Sequence, residues 1–261
     1  MKNIKFIPLF LIALTLIVSS CAIDNDPAVI PMGEAVTASL DKTGEIYAFD
    51  GDEISVGFVL SRTLAESTQF TYTLNGVEKS IDLIQGQQSV SLAIPNVVGE
   101  SNSIVLTGAF ALNNDAVLVG STNTSVTFIS VPAINSNGLE ILMTWSNAVE
   151  NDLDLWLTNE PPTTSIVTSQ TGTPSESLTF DNTQPDGAYN ILPRVWSAVD
   201  ATVDVKMYII HPNGTIEIFN DSVSGETTQA FYYFVKFEKV TDAGTGDVTY
   251  KTTKVAAESV F

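Results

Sequence analysis

The chain has 261 residues, 44% of them hydrophobic, enough to bury the core of one large or two ordinary domains and to exclude disorder as its main state. Eleven basic against 30 acidic side chains give a net charge of −19, which repels phosphate backbones and excludes nucleic acid as a partner. One cysteine and one histidine exclude a disulfide framework, a Cys/His zinc cluster and any Ser-His-Asp triad not built on His211.

Residues 1–20 start with Lys2 and Lys5, run apolar from Phe6 to Val18 with only Pro8 and Thr15 interrupting, and end in Ser19-Ser20. This is the pattern of a signal peptide. It falls short of the roughly 20 apolar residues that span a bilayer, and no later segment is long and apolar enough to do so.

Val18-Ser19-Ser20-Cys21 resembles the lipobox of bacterial lipoproteins, an aliphatic residue and two small ones before a cysteine. The resemblance implies lipidation of Cys21, which would become the first residue of the mature chain and tie it to a membrane. Several acyl chains, at about 0.8 kcal/mol per buried methylene, suffice for stable anchoring. The alternative is an ordinary secretory signal with an incidental cysteine. Loss of residues 1–20 removes two lysines and no acid, so the mature charge becomes −21.

Residues 21–33 then read as an acidic tether carrying Asp24, Asp26 and Pro27. Ala22 is not the aspartate that holds a lipoprotein at the inner membrane in enteric-type sorting, so the resemblance implies the outer membrane. The acids after the cysteine also resemble surface-export signals of Bacteroidetes lipoproteins. A periplasm-facing or a cell-surface position both follow from this.

Past the tether nearly every segment alternates with period two between Gly, Asn, Asp or Pro, and no window keeps a helical stripe. The chain therefore reads as all-β. Residues 34–132 supply candidate strands Glu45–Phe49, Glu53–Leu60, Gln69–Leu74, Ser89–Ile94, Ser103–Phe110 and Thr124–Ser130, with Asn75-Gly76 as a two-residue hairpin turn. An antiparallel, immunoglobulin-like sandwich is the natural solution. Gly51-Asp52-Glu53 opening a strand and the run Ile81 to Gln87 before Ser89 resemble the rhythm of Calx-beta and related extracellular repeats, with no site residues carried over.

Residues 133–138, rich in Asn, Ser and Gly, form a linker. Residues 139–261 restart the alternation, with Leu139, Ile141, Met143 and Trp145 on one face and Leu153, Leu155 and Leu157 on one face of the next strand. Later strands fit Ala188–Trp196, Ala201–Ile210, Thr215–Phe219, Gln229–Lys239 and Val248–Lys254, with His211-Pro212-Asn213-Gly214 as a turn. The aromatic run Ala230 to Phe237 is expected as a central strand, or else as an edge guarded by Lys236 and Lys239.

Met143-Thr144-Trp145, Asn151-Asp152-Leu153-Asp154-Leu155 and Pro185-Asp186-Gly187-Ala188-Tyr189 resemble the bacterial pre-peptidase C-terminal domains. The resemblance implies a jelly-roll-like sandwich and a non-catalytic appendage. Asn159-Glu160-Pro161-Pro162 departs from the family's turn after the D-L-D-L strand.

Glu150, Asp152 and Asp154 are the candidate metal ligands. Two carboxylates two residues apart share a strand face at about 7 Å, and Ca²⁺ takes about six to eight oxygens. Asp181, Asn182 and Asp186 would contribute if their hairpin folds over the same edge. The competing reading is two structural aspartates, since no EF-hand loop is present. Trp145, Trp156, Trp196 and Tyr189 are platform candidates; Trp145 sides with the core, and Trp156 shares the face of Asp152 and Asp154, making it the candidate ligand-binding residue. His211 reads as a surface turn residue with no G-x-S-x-G element to serve.

The leading expectation is a non-catalytic, lipid-anchored envelope module that binds a protein or glycan. The alternatives are a calcium-stabilised structural spacer and an unrecognised hydrolase.

Overall fold

The computed structural model describes residues 35–111, 117–120 and 122–260. The signal peptide, the tether and Cys21 lie outside the described residues. Those described form eighteen strands and no helix.

The first nine are β1 (Val36–Leu40), β2 (Gly44–Phe49), β3 (Ile54–Leu60), β4 (Thr68–Leu74), β5 (Val77–Leu83), β6 (Ser89–Ile94), β7 (Ser101–Ala111), β8 (Val117–Val119) and β9 (Ser125–Val131). They make two sheets, β6-β3-β1-β8 and β2-β9-β7-β4-β5. Alternation does what the sequence asked: Val56, Phe58 and Leu60 turn inward, and Phe58 packs 5.5 Å from Phe70 and 4.9 Å from Tyr72. Asn75 and Gly76, at φ 52° and 79°, close the β4–β5 hairpin with the left-handed backbone that such a loop requires.

Two pairings are parallel, β1 with β8 and β2 with β9, where antiparallel pairing alone was expected. The opening segment divides between the two sheets, and the left-handed Gly44 stands at the start of its second half. Each half then runs alongside a late strand in the same direction.

The second nine are β10 (Gly138–Trp145), β11 (Asp152–Asn159), β12 (Ser165–Ser169), β13 (Ser175–Asp181), β14 (Gly187–Ser197), β15 (Thr202–Ile210), β16 (Ile216–Ser224), β17 (Val235–Thr241) and β18 (Val248–Lys254). Their sheets are β13-β10-β15-β16 and β12-β11-β14-β17-β18. The core between them gathers Leu139, Ile141, Met143 and Trp145 from β10 and Leu153, Leu155 and Leu157 from β11, all nearly or wholly buried. Phe180 joins Tyr189 and Phe237 in an aromatic cluster at 4.7 and 4.9 Å.

The expected strand Gln229–Lys239 is broken. Gln229 sits at φ 68°, residues 230–234 make only isolated bridges at Phe231 and Tyr232, and β17 begins at Val235. Alternation persists through the break: Ala230, Tyr232 and Phe234 enter the core while Phe231 faces outward. β17 lies between β14 and β18, so Lys236 and Lys239 guard no edge. Lys239 is instead buried and paired with Asp186 at 2.7 Å.

Both sandwiches fall within one compact unit, Val36–Phe261. A third apolar cluster joins them: Ile129 and Val131 of β9 meet Leu142, Tyr208 and Ile210, with Tyr47 set edge-on 6.1 Å from Tyr208.

Candidate functional site

Of the residues that the sequence singled out, Asp152, Asp154, Trp156 and Trp196 share the outer face of β11 and β14. Because Leu153, Leu155 and Leu157 face the core, Asp152, Asp154 and Trp156 face outward. On β14 the same parity turns Tyr189, Ile191 and Val195 inward and Arg194 and Trp196 outward. The antiparallel register sets Asp154 opposite Arg194.

Asp154 is 4% exposed and takes Arg194 Nη1 at 3.0 Å. Burial lifts its carboxyl above the ordinary range, outweighing the guanidinium that pulls it down, and the nearby Asp152 and Glu176 add to the rise. The Arg194 guanidinium lies 5.8 Å from the Trp156 ring, 5.0 Å from Trp196 and 5.4 Å from Phe231. Trp156 meets Phe231 edge-on at 5.1 Å. Trp196 stays 48% exposed beside this cluster.

Asp152, Asp154, Gln170, Thr171, Gly172 and Trp196 line a depression of about 290 Å³. A second, of about 200 Å³, adjoins it through Asp152 and Gly172 and includes Glu150. The wall at 169–173 is held from below by Glu176, which is 1% exposed. Its carboxylate accepts the Thr171 N–H at 2.6 Å, the Thr171 hydroxyl at 2.7 Å and the Ser169 hydroxyl. The opposite end rests on Asn151, 2% exposed, whose amide donates to Asp200 at 2.8 Å and to the Ser146 carbonyl at 2.9 Å and accepts from the Val199 N–H at 3.0 Å. The bonds that Asn147 and Asn151 donate hold the Asp200 carboxyl below the usual range.

The candidate calcium ligands Glu150, Asp152 and Asp154 are not gathered around one point among the described residues. Glu150 accepts from Asn147 Nδ2 at 3.1 Å, Asp154 is taken by a guanidinium, and among the described residues no three His, Cys, Asp or Glu side chains gather to hold a metal. Asp181 and Asp186 do not join the cluster: Gly187 pairs with Lys239 at one end of β14, whereas Asp152 pairs with Ser197 at the other. Asp181 accepts from Thr183 N–H at 2.7 Å and Asp186 binds Lys239 and Thr241. Trp145 is in the core, its indole donating to the Asn151 carbonyl at 2.8 Å, and Tyr189 is buried too. His211 sits in the expected turn, but its side chain is covered rather than exposed, 3.5 Å from Glu217 and 6.5 Å from the Tyr250 ring.

A larger depression, about 410 Å³, lies on the outer face of β10, β15 and β16. Both of its carboxylates are already engaged: Asp204 accepts from Ser222 Oγ at 2.6 Å and Asp221 pairs with Lys254 at 3.0 Å. The β11–β14 face differs, because three of its buried polar atoms, Asp152 Oδ1, Trp156 Nε1 and Arg194 Nε, have no partner among the described residues.

No family model matches the chain, and no curated protein matches it. Among solved structures it is similar to the human OSCAR ligand-binding domain, at 8% identity and a TM-score of 0.25 over 72% of this chain and 97% of that one. It is also similar to a chain from a study of host cell surface retention of a 1.5-MDa bacterial ice-binding adhesin, at 12% identity and a TM-score of 0.21 over 83% and 95%. At these scores neither likeness bears on the role of this chain.

Arg194 escaped the sequence reading. Its signal was the alternation of Ala188–Trp196, which puts Arg194 and Trp196 on the face opposite Tyr189 and Ile191; its partner Asp154 depends on register, which alternation does not encode.

Proposed function

We propose that this chain is a non-catalytic, lipid-anchored module of the bacterial envelope, held through Cys21 and presenting the Trp196 face of its second sandwich to a protein or glycan. One observation carries the binding role: a half-exposed indole, a depression and three unpartnered polar atoms coincide on one face. Buried polar groups without partners cost about 1–3 kcal/mol each, so a face that concentrates them is poorly explained by folding alone. The anchor rests on Val18-Ser19-Ser20-Cys21 and the outer-membrane address on Ala22 and the acidic tether. The likeness of the Asp152 to Leu155 and Gly187 to Tyr189 strands to pre-peptidase C-terminal domains favours an appendage over a catalyst.

Site-directed photocrosslinking in the native cells tests the reading. A photoreactive residue at Gln170 or Val149 should yield an adduct that one at Ser177, on the opposite sheet, does not. Equal adducts from both faces, or none from either, would contradict it.

A further inference from the structure

Asp152 lines both depressions, yet one of its carboxylate oxygens is buried without a partner. The torsion that turns a carboxylate is broad, so this oxygen needs little motion to meet a donor arriving in the trough. Around it the trough offers acceptors and a flat ring: the Asp152 carboxylate, the Gln170 amide and the Thr171–Gly172 backbone on one side, the Trp196 indole on the other. A ligand suited to this wall is rich in hydroxyl donors along its edge and carries an apolar C–H face.

We propose that the trough between Trp196 and the Gln170–Gly172 loop is a subsite for a neutral sugar residue of a glycan. This rests on the binding-module reading and names its ligand class. A pyranose ring has C–H groups on one face, to lie on the indole, and hydroxyls around its rim, to donate to Asp152 and Gln170.

Charge selects within the class. Arg194, on the same face but not in the lining of the trough, is neutralised by Asp154 and flanked by Trp156, Trp196 and Phe231. Asp152 and Glu150 remain as acids, on a mature chain of −21, so uronic or sulfated glycans are repelled. A site built to pair a hydroxyl rejects ligands that lack it, because its own polar groups stay unpaired.

The test is affinity electrophoresis of the full mature chain, with Cys21→Ser replacing the lipidated residue. Gels contain xylan, glucomannan, mixed-linkage β-glucan or starch, with polygalacturonate as the anionic comparison. At least one neutral polysaccharide should retard the chain and polygalacturonate should not. Trp196→Ala should weaken retardation at least tenfold. Gly172→Leu should do the same by filling the trough: a Cβ there meets open space, so the fold tolerates it. Both variants should keep the wild-type melting temperature within a few degrees. Retardation that survives both substitutions, retardation by polygalacturonate, or none by any neutral polysaccharide overturns the assignment. If the glycans fail while Gln170 crosslinks to a protein, the ligand class falls and the module stands; if both fail, both fall.

Discussion

Asn151 shows how one side chain shapes the ground on which a site stands. It is the residue before the acidic pair, and it ties the turn after β10 to the turn after β14 while leaving none of its own polar atoms to water. Asn151→Ala should lower unfolding stability by about 2–4 kcal/mol, measured by denaturant melts, because both turns lose buried partners at once. Two aspartates give opposite pH signatures. The Asp186 carboxyl is held down at about 2, first by Lys239 and then by Thr241, so its contribution is present above the ordinary carboxyl pKa of about 3.9 and lost as pH falls toward 2. Asp186→Asn should melt below wild type at neutral pH and converge with it near pH 2. Asp154, raised chiefly by burial, works the other way: its contribution is full below about pH 3.9 and is lost as pH rises through the raised value. Relative to wild type, Asp154→Asn should therefore gain stability as pH rises through that window; a parallel pair of melting curves would contradict the assignment.

Among the elements, those with one clean apolar face were legible in advance. Ile54 to Leu60, Val90 to Ile94 and Leu153 to Leu157 alternate without interruption, and each forms the strand that its pattern predicts. β12 and β13 escaped because only Ile166 and Val167 are apolar in Ser165–Ser169, and because Glu176 occupies an inward position of β13, where it anchors a loop rather than filling the core. The parallel pairs β1–β8 and β2–β9 escaped because alternation states which way a side chain points, not which strand lies beside it. The outward placement of Asp152, Asp154 and Trp156 was readable; their relation to Arg194, Phe231 and the Glu176-braced loop was not, since it depends on strand order. Gly138 marks a close approach that no side chain survives: a Cβ there would lie 1.9 Å from the Phe180 carbonyl oxygen. Gly138→Ala should open the start of the β10–β13 ladder and cost about 3 kcal/mol in denaturant melts. Gly172→Ala should change stability by less than about 0.5 kcal/mol.

At the scale of the whole molecule, two sandwiches with separate sheets share an apolar seam. Leu142, Tyr208 and Ile210 project from the outer face of one sheet and are covered by β2 and β9 of the first sandwich. The second sandwich is therefore carried at a set orientation, with the Trp196 face on its other sheet, away from the seam. We expect residues 34–132 and 139–261 each to hold a core of their own, with the seam coupling their melting. Wild type should melt in one transition and Leu142→Ala, removing about 2–5 kcal/mol of packing, in two. Cys21 should take up labelled palmitate, and Cys21→Ser should not. A binding role requires the Trp196 face to be covered where the chain works. Hydroxyl-radical footprinting of intact cells against the purified chain measures this, with Phe110, 61% exposed on the first sandwich, as the internal reference. Oxidation of Trp196 should fall in intact cells while that of Phe110 holds; equal oxidation of Trp196 in both settings would contradict the claim that this face binds.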